Sequence, residues 1–179
     1  MGGIKMRSTG LDPIYNKESQ ILILGTFPGR ESLKRRAYYS DRNNQFWKII
    51  YSIYQVDYSE NVEDRKKLLL DHHIALWDVL KECDRVTEDG KESSSDKYII
   101  NEIPNDIQRV ISESKISTIL INGKTKNKGE KAKNPYKYYM KYVWEKILVD
   151  PVLLPSTSGL NTHQNLEEKI QIWKEFLIR

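Results

Sequence analysis

Gln20-Ile21-Leu22-Ile23-Leu24-Gly25 decides the class of the fold. A continuous apolar run of this length, closed by glycine, fits a strand buried on both faces, as in parallel sheets covered by helices. Downstream, Phe46, Ile49, Ile50 and Ile53 recur at helical spacing and predict a helix from Asn44 to about Tyr54. A second helix is expected over Val62 to His72, followed by a strand at Ile74-Ala75-Leu76-Trp77-Asp78-Val79. Residues 82–97 read as a polar loop, and Pro104-Asn105-Asp106 opens a helix to about Ser114. Ile116 to Ile121 forms the next strand, halted by Asn122-Gly123. Pro135 to Leu148 is expected to be helical, Val152-Leu153-Leu154 a short strand, and Asn165 to Ile178 a closing helix. Leu166, Ile170, Trp173 and Leu177 make the apolar stripe of that last helix. Four strands alternating with helices predict right-handed crossovers and an α/β fold, a four-stranded parallel sheet between two helical layers. Residues 1–19 read as an N-terminal arm and residues 20–179 as a single domain.

The composition narrows the function classes. A chain of 179 residues accommodates one core. With 39% hydrophobic and 30% charged residues and a mean hydropathy of −0.65, it is neither disordered nor membrane-embedded in type. Met1-Gly2-Gly3-Ile4-Lys5 lacks an apolar signal core, so a cytoplasmic protein is expected. Cys83 stands alone, which excludes a disulfide framework and any all-cysteine metal site. Three histidines leave little for a histidine-based centre, and no metal is expected. The net charge of +4 is unevenly spread. Between Lys124 and Lys146 eight lysines face Glu130 and Glu145, a local +6 that leaves −2 for the remainder. Such clustering points to a polyanionic partner. Tyr136, Tyr138, Tyr139, Tyr142 and Trp144 interleave with the lysines, as a nucleic-acid surface requires. The competing reading is a solvated lysine loop followed by an amphipathic helix whose aromatics face the core.

In doubly wound sheets the ligand crevice lies at the carboxyl ends of the strands. Those ends carry Gly25-Thr26-Phe27-Pro28-Gly29, Asp78, Asn122-Gly123 and Pro155-Ser156-Thr157-Ser158-Gly159. The first turn has neither the glycine–lysine pattern of a P-loop nor dinucleotide spacing, so nucleotide-cofactor readings fail. Hydroxyls and backbone N–H groups between the last strand and last helix suit a phosphate oxygen, or an ordinary serine-rich cap. No G-x-S-x-G elbow is present, which disfavours a serine hydrolase. Tyr38-Tyr39 beside Asn43-Asn44-Gln45 offers stacking and amide hydrogen bonding in one loop. His72-His73 ends a helix, where the dipole favours partial positive charge, and is not read as a metal pair.

Six motifs occur in order: the Gly25–Gly29 turn, Tyr38-Tyr39 with Asn44-Gln45-Phe46-Trp47, Leu76-Trp77-Asp78-Val79, Pro104-Asn105-Asp106-Ile107, Ile121-Asn122-Gly123 and Leu154-Pro155-Ser156-Thr157-Ser158. From Gln20 onward the chain resembles the hypoxanthine-DNA glycosylase branch of the uracil-DNA glycosylase superfamily, with similarity also to mismatch-specific uracil-DNA glycosylases. The resemblance implies a three-layer α/β/α fold and monofunctional cleavage of the N-glycosidic bond of a deaminated base in DNA, without a cofactor. It implies a monomer acting on DNA, with no membrane partner. The target nucleotide is extruded into a pocket, because a stacked base hides its sugar–base bond.

Carried onto this chain, the resemblance makes Asn44 and Asp78 the catalytic candidates and assigns Thr26, Phe27, Tyr39 and Asn122 to base binding. It assigns Gly29, Ser156, Thr157 and Ser158 to DNA phosphates, with Leu160 or Asn161 entering the gap left by the flipped base. Phe27 stands where uracil glycosylases often place a water-handling acid or asparagine, and Leu154 where they often place a histidine or asparagine. Asp41-Arg42-Asn43 replaces a His-Pro pair typical of the hypoxanthine branch. Two other readings are a catalytically weak lesion-binding module and a small-molecule enzyme on a flavodoxin-like sheet.

Overall fold

The computed structural model describes residues 5–86, 93–123 and 133–178. Lys5–Thr9 (β1) precedes Ile21–Gly25 (β2), and Ile74–Asp78 (β3) follows the first three helices. Every residue of β2 and β3 is buried, the signature of strands covered on both faces. Thr118–Asn122 (β6) and Val152–Leu154 (β7) complete a parallel sheet of order β3-β2-β6-β7. Its register sets Gly25 beside Asp78 and Asn122 beside Leu154. The carboxyl ends of the strands therefore converge on one edge. The fold is the expected three-layer α/β/α arrangement around a four-stranded parallel sheet.

Phe46–Tyr54 (α2) buries Phe46, Trp47, Ile49, Ile50 and Ile53 and packs on Leu166–Leu177 (α7). Val62–Asp71 (α3) lies against β3, its first N–H groups capped by the Asn61 side chain. Ile107–Ser112 (α4) is capped by Asp106. The predicted helix after Pro135 is present as Pro135–Tyr139 (α5), a π-helical stretch Met140–Trp144, and Glu145–Ile147 (α6). In α7 the stripe differs from expectation. Trp173 and Leu177 are buried, but Lys169 is buried with them, while Leu166 and Ile170 are only half-buried.

Three further features depart from the sequence reading. Arg30–Arg35 (α1) sits where an arginine-rich loop is expected; only Ser32 on it is buried, so it carries no apolar period. Leu80–Val86 (β4) and Ile99–Pro104 (β5) occupy part of the expected polar loop and its C-terminal flank. They form an antiparallel sheet of order β1-β4-β5, in which residues 5–9 of the arm are an edge strand. Register shifts between Leu80 and Asp84 break the period-two pattern that would have marked β4 as a strand.

The aromatic run after Pro135 follows the core reading. Tyr138 and Tyr139 are buried, Tyr139 donates to Val149 O at 2.7 Å, and Trp144 Nε1 donates to Asp150 Oδ1 at 2.9 Å. Tyr138 and Tyr139 are thus committed to packing, while Tyr136, Tyr142 and Trp144 are half-buried. Lys124, Lys126, Lys128 and Lys131 of the basic segment lie outside the described residues. Lys141, which is described, donates to Glu102 at 3.0 Å.

Candidate active site

The turn after β2 and the end of β3 meet first. An atom added at Gly25 as a Cβ would lie 2.4 Å from Asp78 Oδ1 and 3.2 Å from the Tyr39 hydroxyl. Only glycine lets the carboxylate and the phenol close on this turn. Asp78 is 5% exposed, and its Oδ2 has no hydrogen-bond partner among the described residues. Burial, then the charge of Asp96, pushes its carboxyl up to about 7, with Arg85 acting the other way. Tyr39 adopts a left-handed backbone conformation (φ 51°) and stacks one ring face on Phe46, with centroids 4.2 Å apart. Burial, then the Asp78 charge, raises its hydroxyl well above the usual phenol range.

Asn44 comes from the loop before α2. Asp41 organises that loop: its carboxylate accepts from Asn43 N at 2.8 Å and its carbonyl from Asn44 N at 3.0 Å. Asn44 Oδ1 accepts from Phe46 N at 3.0 Å and from Thr157 Oγ1 at 2.9 Å. The amide oxygen is thus held twice, which leaves the amide nitrogen as the group to offer a ligand. Thr157 in turn accepts from Asn122 Nδ2 at 2.8 Å, and its own N–H donates to Asn122 Oδ1 at 2.9 Å. Gln45 N donates to Thr157 O at 2.8 Å, so the N-terminus of α2 is tied to the loop after β7.

That loop, residues 155–161, was expected to grip phosphates. Ser156 and Ser158 are half-buried and line the cleft, while Thr157 is fully buried with hydroxyl and N–H both engaged. Thr157 couples Asn122 to Asn44. Gly159 approaches Asn43 so closely that a Cβ there would sit 2.8 Å from Asn43 O. Leu160 is 91% exposed at the loop tip. Asn161 is turned back on the loop, donating to Ser156 O at 3.0 Å. Beneath it the buried Lys169 ammonium donates to Gln45 Oε1 at 2.8 Å and to Asn161 O at 3.0 Å. Sequence periodicity gave no sign of this anchor, because a lysine on the stripe of α7 reads as surface.

Tyr39, Asn44, Asp78, Ser156, Ser158 and Leu160 line one cleft of about 1510 Å³ that also includes Thr26, Gly29 and Asn122. Phe27 borders it, but its ring is 7% exposed, lies within 3.4 Å of a Cβ position at Gly10, and carries the Arg85 guanidinium 5.1 Å from its centroid. Residues that the sequence reading did not select also reach the cleft. Asp96, in a short 3₁₀ turn (Asp96–Tyr98) before β5, accepts from Thr26 Oγ1 at 2.6 Å. Burial pushes its carboxyl up to about 6, against the Thr26 hydrogen bond and Arg85. The motifs contain no lysine, yet Lys48, Lys97 and Lys133 stand on the cleft walls. His72 stacks on Tyr54 with centroids 3.6 Å apart.

The family model of the uracil DNA glycosylase superfamily matches residues 13–177. Among curated relatives, a protein of Methanosarcina barkeri (strain Fusaro) named hypoxanthine DNA glycosylase is 29% identical over 172 residues, covering 95% of this chain and 98% of its own length. A protein of Methanosarcina acetivorans with the same name is 28% identical, over 87% of this chain and 89% of its own. A solution NMR structure provisionally described as a uracil DNA glycosylase from Methanosarcina acetivorans superposes with a TM-score of 0.71 at 26% identity, covering 97% of this chain and all of that one (100%).

Proposed function

The chain belongs to the uracil DNA glycosylase superfamily, and from that premise we propose that it hydrolyses the N-glycosidic bond of a deaminated base, hypoxanthine or uracil, flipped out of DNA. The DNA glycosylase activity itself is supported by the family and by the names of both relatives. The observation that carries the finer reading is the held amide of Asn44. Its oxygen is fixed by Phe46 N and Thr157 Oγ1, so its N–H₂ group is oriented before any ligand arrives.

When the bond between sugar and base breaks, its electron pair goes to the base, and negative charge develops on the base oxygen and ring nitrogens. The Asn44 amide donates to that charge. Asp78 faces the lactam edge common to uracil and hypoxanthine. Tyr39 stacks on the flipped base, and the packed ring of Phe27 together with Thr26 and Asn122 closes the wall behind it. Gly29, Ser156 and Ser158 hold phosphates on either side, and Leu160 enters the gap in the duplex. Asn161 shapes the loop from which Leu160 projects. Water completes the hydrolysis, and the protein acts as a monofunctional monomer. Among the described residues, no helix is long and apolar enough to cross a membrane.

The test is incubation with oligonucleotides carrying uracil, hypoxanthine, xanthine or mismatched thymine, followed by alkaline cleavage of abasic sites. Cleavage at hypoxanthine or uracil supports the reading. Cleavage before alkali would reveal a lyase step by one of the cleft lysines. Lesion binding with no cleavage at any of the four bases would replace the enzyme by a lesion-binding module.

A further inference from the structure

Phe27 occupies the first turn of the cleft with a hydrocarbon ring, packed between Gly10 and Arg85, and offers nothing to a water molecule. The residue before it compensates. Thr26 donates its hydroxyl hydrogen to Asp96 Oδ2 at 2.6 Å, drawing a carboxylate from seventy positions away to the end of β2. Asp96 and Asp78 both line the cleft, Asp78 buried and Asp96 half-buried.

We propose that Asp96 is a further catalytic residue, the base that holds and deprotonates the attacking water, while Asp78 keeps the proton and faces the departing base. This rests on the glycosylase reading of the same cleft. The two carboxylates differ in what surrounds them. Asp96 has a hydroxyl donor on one oxygen, which favours its anion, and Arg85 adds positive charge nearby. Asp78 Oδ2 has no donor among the described residues, and the Asp96 charge opposes its ionisation. Two interacting acids in unlike settings separate into a proton donor and a proton acceptor. Lys97, next to Asp96 in the chain, and Lys133 also border the cleft.

The step balances. The bond from C1′ to the base nitrogen breaks, and its electrons go to the base. Water oxygen bonds to C1′, and the water proton passes to Asp96. The Asp78 proton passes to the base, which leaves neutral, and solvent restores both carboxyls. The sum is one water consumed, one free base and one abasic sugar formed.

The experiment is single-turnover excision of the best lesion base across pH 4.5–9 for wild type, Asp96→Asn and Thr26→Val, with binding to an oligonucleotide carrying an uncleavable 2′-fluoro lesion nucleotide. General-base catalysis typically contributes about 10²–10⁴-fold. Asp96→Asn is expected to lose a factor in that range and the acidic limb of the profile, with lesion affinity unchanged. Thr26→Val removes the donor that favours the anion, so its acidic limb moves to higher pH. Should Asp96→Asn fail to fold, the presence or absence of that shift in Thr26→Val decides the matter. Wild-type rates and an unshifted limb in both variants overturn the proposal while leaving the glycosylase reading intact. A wild-type protein that cuts none of the lesions overturns both.

Discussion

Thr157 donates its hydroxyl hydrogen to Asn44 Oδ1 across 2.9 Å and 113 positions of sequence. It accepts from Asn122 at the same time, so three polar residues from three strand ends and loops form one chain of hydrogen bonds. The orientation of the Asn44 amide is thereby set by a fully buried residue.

Removing one preorganised donor to a developing anion costs on the order of 10²–10³ in rate. Asn44→Ala is expected to lose that much in single-turnover excision while retaining lesion affinity. Thr157→Val keeps the volume and deletes the bond, and a misplacement of about 1 Å can cost ~10²-fold. Its loss of rate should therefore approach that of Asn44→Ala, and the double variant should be little worse than Asn44→Ala alone. Additive losses would mean that the two residues act separately.

Asp78 controls pH-dependent stability with an inverted sign. Its carboxyl titrates near its ordinary value of 3.8 in the unfolded chain and at about 7 in the folded one. Between these values the folded state binds more protons than the unfolded state, so stability falls as pH rises through this window and levels above it. The slope from one such group is at most about 1.4 kcal/mol per pH unit. Thermal melts should show Asp78→Asn more stable than wild type at pH 8, with the gap closing at pH 4. Asp96, raised to about 6, adds to the same trend.

Leu160 stands 91% exposed, so Leu160→Ala should leave the melting curve within about 0.5 kcal/mol of wild type. A wedge acts only where a stack must be refilled. Excision from duplex should slow several-fold, and excision from single strands should not. Equal slowing on both substrates would assign the leucine to the pocket.

In the proposed reading the base stacks on the Tyr39 ring face opposite Phe46. Base–aromatic stacking is worth about 1–3 kcal/mol. Tyr39→Phe keeps the ring and should excise every lesion base at near wild-type rates, whereas Tyr39→Leu should slow all of them by the equivalent of that stacking energy. Fluorescence of 2-aminopurine beside the lesion separates a flipping defect from a chemical one.

By itself the sequence determined the layered α/β class, because Ile21–Gly25 and Ile74–Asp78 are apolar without interruption and only a doubly covered sheet buries both faces. It also located Asn44, Asp78 and Ser156 at strand ends and helix starts, since those positions follow from where apolar periods stop. Tertiary structure alone decided what those groups face. The buried Lys169 is legible only once Gln45 Oε1 and Asn161 O are seen to receive its hydrogens. The burial of Thr157 and its bonds to Asn122 and Asn44 likewise exist only in the folded chain. Asp96 sits in a stretch that reads as polar loop, and becomes part of the cleft only through a hydrogen bond to Thr26 that spans seventy residues. Periodicity reports the face a residue turns to the core of its own element; it carries no information about polar partners brought together by separate crossovers.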